Sequence, residues 1–550
     1  MMVRSVIVTA LLLSLTCEVT DAQTGKNPDN NLLYFYRVCF TDKGSVTVAD
    51  FTPEDLLSPD AIERREKCGI DPLTASDLPV NKDYINTVTQ TGLKFHISSK
   101  WMNSALFSSH TEINPADIEE IPFVREVVLV KRPAEPSKRE TEKYGTLSPG
   151  SDLSIYNPLV PLNGVPLHQS GFTGKSLTIA VLDAGFLNAD RVESLTPLMK
   201  RGGVIATWDF VTGKSNVYDY HDHGTSVLTI LAGDLPDIIS GSAPGANYML
   251  LRTEDDESEY PVEQDYWAAA AEYADSAGAD IISSSLGYST FDDPTMDYAF
   301  SDMDGDRAFV TQAADAAASR GILVVASAGN ERNKEWVRIL APSDGDSVLC
   351  IGALKQDLTI SDFSSAGFSA DDQVKPDVVA PGVSLPLQNE PGKWETGSGT
   401  SFSCPVISGL CASLMQAVPE ATAAAVATAV RQSSDRYNNP DSLYGYGIPD
   451  FITALKSLEE IYTFKPDVSI TAGPNPFFDE INLWFRETPE KLSVTVTDGS
   501  GRIVLRREYP VYSGRSCKIT GFEGMAEGLF MVDVTTSHGG KVFKMVRLKR

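Results

Sequence analysis

Six brief, mostly continuous apolar runs constrain this chain more than any other feature. They are LTIAVLD (177–183), VIATWDF (204–210), YMLLR (248–252), DIISSSLG (280–287), ILVVASAGN (322–330) and SVLCIGA (347–353). A strand with one wet face alternates apolar and polar residues; a strand buried on both faces reads as an unbroken apolar run. Between the runs lie helical patterns such as WAAAAEYADSAG (267–278) and TQAADAAASRG (311–321), with glycine at the helix ends. Strand, helix, strand in this order predicts βαβ units and a parallel sheet, hence an α/β domain over about 149–462. Such open sheets collect their chemistry beyond the carboxyl ends of the strands. Asp183 ends the first run, Ser285, Leu286 and Gly287 end the fourth, and Asn330 closes the fifth after Ala328 and Gly329.

The flanks have a different texture. Residues 23–148 mix strand-like and helix-like stretches and end in the polar, Pro/Gly-containing KRPAEPSKRETEKYGTLSPG, which reads as a linker. Beyond Pro466 the pattern turns to period-two alternation, with hairpin signals at Asp498–Gly501 and around Gly539-Gly540. With 550 residues the chain exceeds one ordinary core, and two to four domains are expected. The formal net charge of −28 argues against non-specific nucleic-acid binding, which needs a basic footprint.

Residues 1–22 read as a secretory signal: Arg4, an apolar run from Val6 to Leu15 too short to span a bilayer comfortably, then Thr20-Asp21-Ala22 as a small-residue cleavage site. Six cysteines follow Cys17, without the CxxC spacing of a zinc site. Cys404 and Cys411 are expected to be small buried hydrophobes on one helix, roughly 10 Å apart along its axis and too far to bridge.

The stretch GSGTSFSCPVISGLCASLMQ (397–416) places Ser401 just ahead of a small-residue apolar helix. Small residues allow that helix to thread through a core, and its first turn offers unpaired N–H groups and a positive dipole end to an incoming carbonyl. Pro405 fits a helix that starts a residue or two after Ser401. A nucleophilic serine needs a base, a carboxylate to orient the base, and donors for the oxyanion. Of the six histidines, His223 in YHDHGTSVLTILAG stands at a helix start, where a ring can face a cleft. Asp183, His223 and Ser401 can therefore supply a triad, with the Ser401 N–H and the Asn330 side chain as oxyanion donors.

VLDAGF, HDHGTSV, SSSLG, SAGN, KPDVVAPG and GTSFSCP, in that order, resemble the motif set of the subtilisin-like serine proteases, the subtilases. The resemblance implies a three-layer α/β catalytic domain, with Asp183 as orienting acid, His223 as general base, Ser401 as nucleophile and Asn330 in the oxyanion hole. Ser285, Leu286 and Gly287 would pair with the substrate backbone. Two positions depart from the pattern: Ser226 stands where a second histidine is usual, and Phe402-Ser403-Cys404-Pro405 replaces Met-Ala-x-Pro. Neither touches a catalytic group. An α/β-hydrolase is excluded, because Gly399–Ser403 is not GxSxG and the Asp, His, Ser order differs.

The resemblance extends to the flanks. The first segment is similar to the small α+β propeptides of secreted subtilases, which assist folding and block the cleft until cleaved. PNPF (474–477), Gly528-Leu529-Phe530 and the basic last strand resemble the immunoglobulin-like β-sandwich that serves as C-terminal sorting domain in type IX secretion. The chain is thus expected to be a secreted or surface-attached zymogen. It would leave a Gram-negative bacterium through the periplasm and the type IX machinery, act on protein or peptide substrates, and take its own propeptide as inhibitor. The alternative is a non-catalytic surface adhesin on a subtilase scaffold. No cofactor is required. Subtilases often carry structural calcium, and Asp302, Asp304 and Asp306 alternate as such a site could, but the EF-hand pattern is missing and the stretch reads first as a solvated turn before the helix at 311–319. The acidic run EDDESE (254–259) reads as a solvated loop that could also line the cleft and attract basic side chains.

Overall fold

A computed structural model describes residues 32–133, 144–149, 156–235, 238–462, 470–486, 488–537 and 539–549. The signal sequence expected at 1–22 lies outside them, as does most of the expected linker. Two compact units divide between Leu455 and Lys456. No helix among the described residues is long and apolar enough to cross a membrane.

The first unit begins with an antiparallel sheet of β1 (Tyr34–Phe40), β2 (Lys94–Ser99), β3 (Ser104–Ser109) and β4 (Val124–Lys131), in the order β2-β3-β1-β4. Helices α1 (Pro59–Lys67) and α2 (Lys82–Thr89) connect β1 to β2. Ser58 caps α1 through a bond from the Ala61 N–H, and Asn81 caps α2. A short strand, β5 (Thr146–Pro149), falls inside the stretch expected to be linker.

The central sheet holds β6 (Thr178–Asp183), β7 (Val204–Asp209), β8 (Asn247–Arg252), β9 (Ile281–Ser284), β10 (Leu323–Ser327), β11 (Leu349–Leu354) and β12 (Val378–Pro381). Their order is β12-β11-β10-β9-β6-β8-β7, and every pairing is parallel. The six apolar runs are six of these strands. All of β6 is buried, as a run with no wet face requires. Helices α3 (His223–Ala232) and α6 (Thr400–Ala417) pack against each other, as do α4 (Val262–Ala277) and α5 (Phe309–Ala318). A hairpin, β13 (Leu385–Glu390) and β14 (Lys393–Ser398), leads into α6, and β5 pairs antiparallel with β14, Thr146 opposite Ser398 and Leu147 opposite Gly397. Helices α7 (Ala423–Gln432) and α8 (Phe451–Tyr462) follow.

Helix α4 is buried on every side from Val262 to Ser276, charged residues included. The sheet covers one flank and the N-terminal segment the other. Arg37 on β1 grips Asp265 through two bonds of 2.7 and 2.6 Å. Asp275 takes Arg64 and Arg65 from α1. Glu272 accepts the Ser99 hydroxyl (2.6 Å) and the N–H groups of Lys100 and Trp101 (2.9 and 3.0 Å). Removing one partner of such a buried pair strands the other charge in a dry site, which costs about 3–5 kcal/mol.

The second unit carries two antiparallel sheets. One sheet holds β15 (Ile470–Gly473), β16 (Glu480–Phe485) and β19 (Ser516–Thr520); the other holds β17 (Leu492–Asp498), β18 (Ile503–Tyr509), β20 (Gly528–Thr536) and β21 (Gly539–Arg547). Ile481, Leu483, Val494, Val496, Ile519, Val532 and Val534 lie in its core. The hairpin at Asp498–Gly501 forms as expected. Gly539 and Gly540, expected in a turn, are instead the first rungs of β21, opposite Thr536 and Thr535. The PNPF motif is tied to the last strand: Asn475 bonds Lys544 and Val546, and the Phe477 N–H donates to Val546 O.

The seam between the N-terminal segment and the central domain is pH-sensitive. His96 on β2 meets Phe35 edge-on and tilts against Tyr266, both at 5.6 Å between centroids. Burial, aided by Lys94 and Lys131, pulls its imidazole down to about 4. The folded chain therefore refuses a proton that the unfolded chain accepts near 6.5. Stability is full above 6.5 and falls as the pH drops towards 4, by about 2–3 kcal/mol from this ring alone. Urea unfolding of the intact chain at pH 7.5 and 4.5 should show that loss, and His96→Gln should reduce it.

Candidate active site

Asp183 is the last residue of β6 and is fully buried. Its Oδ1 accepts the Ala184 N–H at 2.8 Å and faces His223 Nδ1 at 2.7 Å. His223 opens α3, which is pinned to the loop beyond Asp183: Gly224 N–H donates to Gly185 O (3.0 Å), and the Thr225 hydroxyl to Leu187 O (2.7 Å). The other ring nitrogen, Nε2, is buried without a hydrogen-bond partner among the described residues. A neutral imidazole held by a carboxylate at Nδ1 presents Nε2 as a base. His221 lies alongside, its Nδ1 accepting the His223 N–H at 3.1 Å. Burial, then the neighbouring His223, push the His221 imidazole below its ordinary value.

Ser401 sits in the first turn of α6, which begins at Thr400. Its hydroxyl donates to Ser285 O at 3.2 Å, and the Ser285 hydroxyl returns a 2.8 Å bond to Ser401 O. This corrects the expected place of Pro405. The helix starts before Ser401, so the proline lies inside it. With no N–H, Pro405 cannot bond the carbonyl four residues back, which is that of Ser401. Ser285 supplies the missing donor. Asn330 Oδ1 accepts the Thr400 N–H (2.9 Å) and hydroxyl (3.1 Å), which leaves Nδ2 as its donor side. The Ser401 N–H, in the first turn, has no intrahelical acceptor. Ser285, Leu286 and Gly287 run past the end of β9 outside any ladder, so their backbone is not used up in the sheet. A Cβ on Gly287 would stand 2.8 Å from Leu340, which explains a glycine there.

At the departures from the family pattern, Ser226 turns back to Asp222 O (3.3 Å), and Cys404 is buried against Ser284 O and Val325 O. Burial pushes the Cys404 thiol up to about 11, so it packs rather than reacts. Cys411 is likewise a buried free thiol.

Sequence reasoning missed Tyr144. Its buried ring lies 4.9 Å from that of His223 and 4.6 Å from that of His221. Gly145 follows at φ +85°, where a Cβ would meet Ser398 O at 2.6 Å. The only aromatic residue in a charged, polar stretch was the available signal. The alternating aspartates form a hydrogen-bonded turn: Asp302 accepts the Ala299 N–H and pairs with Arg307, and Asp304 accepts the Asp306 and Arg307 N–H groups. Among the described residues no group of three or more His, Cys, Asp or Glu could hold a metal ion.

A profile described as the subtilase family, peptidase S8, matches residues 174–447, and one for the peptidase S8 propeptide domain of Bacteroidota matches 35–144. Subtilisin E of Bacillus subtilis (strain 168) is 31% identical over 286 residues, covering 51% of this chain and 66% of that protein. Subtilisin of Bacillus pumilus is 30% identical over 286 residues, covering 51% of this chain and 92% of that protein. The crystal structure of MycP1 from Mycobacterium smegmatis aligns with a TM-score of 0.45 at 21% identity, over 58% of this chain and 90% of that one. The chain belongs to the subtilase family of serine endopeptidases. Its N-terminal segment is a subtilase propeptide, so the molecule described here is a zymogen.

Ser285→Ala would leave the Ser401 carbonyl, already denied a helix partner by Pro405, without its donor. A loss of about 1–2 kcal/mol is expected for an orphaned buried acceptor, read as a lower urea midpoint.

Proposed function

We propose that this chain is a secreted serine endopeptidase that hydrolyses peptide bonds through Asp183, His223 and Ser401. The observation that carries the reading is the buried 2.7 Å bond between Asp183 and His223 at the strand ends where Ser401 is also delivered. Asp183 holds the ring so that Nε2 is the basic nitrogen and stabilises the imidazolium that forms. In the active state the Ser401 hydroxyl turns from Ser285 O towards Nε2, loses its proton there and attacks a peptide carbonyl. The Ser401 N–H and Asn330 Nδ2 meet the oxyanion. His223 then protonates the leaving amine, and water cleaves the acyl-enzyme. Ser285–Gly287 offers its free backbone to an extended substrate, as a strand adds to an edge.

In the zymogen, Tyr144 lies over the catalytic ring and β5 occupies the edge of β14. This supports the propeptide and its trailing segment as the inhibitor of the site. Export rests on other features: the signal pattern in residues 1–22, and the resemblance of the C-terminal β-unit to type IX sorting domains. They support delivery across the outer membrane of a Gram-negative bacterium to its surface or surroundings.

Wild type and Ser401→Ala, expressed side by side, test the reading. The wild type should shed its N-terminal segment and take a label from a serine-reactive phosphonate; the variant should do neither. Asn330→Ala should lower kcat by about 10²–10³, the loss known for the corresponding donor of subtilisin itself. Equal processing and equal labelling of wild type and Ser401→Ala would refute the enzyme.

A further inference from the structure

One lysine of the propeptide is sunk into the catalytic domain beside the site. Lys131, the last residue of β4, is 1% exposed. Its Nζ donates to Asp255 Oδ2 at 2.7 Å and to the Ser258 hydroxyl at 2.8 Å, and stands 6.0 Å from the centre of the Tyr260 ring. An ammonium is buried only where a carboxylate and further polar groups replace its water. Burial would raise the Asp255 carboxyl, but the Lys131 charge and hydrogen bond hold it below its ordinary value. Arg132, next in the chain, pairs with Asp293 and Glu112 while 40% exposed, a surface contact of small worth.

The catalytic domain builds this pocket with its own bonds. The Asp255 N–H donates to Glu263 on α4 (2.8 Å), the Ser258 N–H to Asp255 O (3.1 Å), and the Ser258 hydroxyl also reaches Asp255 Oδ2 (3.3 Å). The acidic run 254–259 is therefore not the solvated loop its composition suggests: Glu254 and Ser258 are buried.

Position gives the pocket its meaning. The loop with Asp255 leaves β8 and the loop with Ser285–Asp293 leaves β9, the two strands that flank β6 and Asp183. The loops are joined by the Asp292 N–H donating to Glu259 O (2.9 Å) and the Glu259 N–H to Asp292 Oδ2 (3.0 Å). Lys131 lies at these loops, whereas Tyr144 to Pro149 lie at His223 and along β14, beside the nucleophile. Along the chain, earlier residues thus stand at Asp255 and later ones at β14. A substrate laid down in the same direction places residues N-terminal to its scissile bond at Asp255.

We propose that Asp255, Ser258 and Tyr260 form a lysine-accepting subsite for the substrate chain upstream of the cleaved bond, filled in the zymogen by Lys131. The inference rests on the peptidase reading and names the substrate class: polypeptides with a lysine at one fixed upstream position. A compact ammonium with three donors matches one carboxylate, one hydroxyl and a ring face; the broad fork of arginine does not.

The test uses the full-length protein after it has matured, on a peptide series with lysine or alanine at each position upstream of one cleavage site. The wild type should cleave the lysine peptide at least about tenfold faster, in kcat/KM, at one position. That lysine-to-alanine ratio should fall towards one in Asp255→Asn, fall several-fold in Ser258→Ala, and persist in Glu257→Gln, which removes a charge from the same run. No lysine preference at any position in the wild type, or a preference that survives both Asp255→Asn and Ser258→Ala, would overturn the subsite while leaving the peptidase intact. Failure of the wild type to cut any peptide would remove the peptidase reading and the subsite with it.

Discussion

The architecture turns on a carbonyl that its own helix cannot satisfy. Helix α6 is buried from Thr400 to Met415, so each polar group in it must find a partner within the protein. Pro405 removes the N–H that would have met the Ser401 carbonyl, and Ser285 replaces it. The exchange joins Ser401 to the segment that leaves β9. Any shift of Ser401 relative to Ser285–Gly287 breaks this bond and its reciprocal from the Ser401 hydroxyl to Ser285 O. Ser401 and the backbone beside it are thus kept in register by hydrogen bonds in a dry environment.

A second constraint comes from α4. A helix bearing Asp265, Glu272 and Asp275 would ordinarily turn those carboxylates to water. Here each is answered by the propeptide, through Arg37, Ser99 with the amides of Lys100 and Trp101, and Arg64 with Arg65. Buried ion pairs add little net stability over apolar packing, but they punish mismatched partners heavily. The seam is therefore better suited to fixing one docking geometry than to supplying maximal affinity. That suits a segment which must sit in one register on the central domain.

The central domain was legible because its signals are local. A strand buried on both faces writes itself as an unbroken apolar run, and Asp183, His223 and Asn330 stand at the ends or starts of such elements. What stayed hidden depends on pairs distant in the chain. Nothing near Pro405 reveals that the helix begins ahead of it, because the compensating donor is Ser285, 116 residues away from Ser401. The polar texture of 131–150 hid β5, because a strand added to an edge draws its stability from backbone bonds to β14 and needs no apolar side chains. The acidic run misled for a related reason: charge predicts solvent exposure only while the partner is unknown, and the partner of Asp255 is Lys131, 124 residues earlier.

These long-range pairs set the geometry of the candidate site. Asp183 and His223 are already bonded, but the Ser401 hydroxyl faces Ser285 O and His223 Nε2 has no partner among the described residues. Tyr144 packs its ring on His223 and, through Gly145 and β5, is held by the strand that leads into α6. Tyr144 and Ser401 are thus both tied in the chain to elements that meet at β14. The pairing is continuous from Thr146 opposite Ser398 to Pro149 opposite Glu395, so β5 takes up this edge of β14 through backbone bonds that depend on no particular side chain.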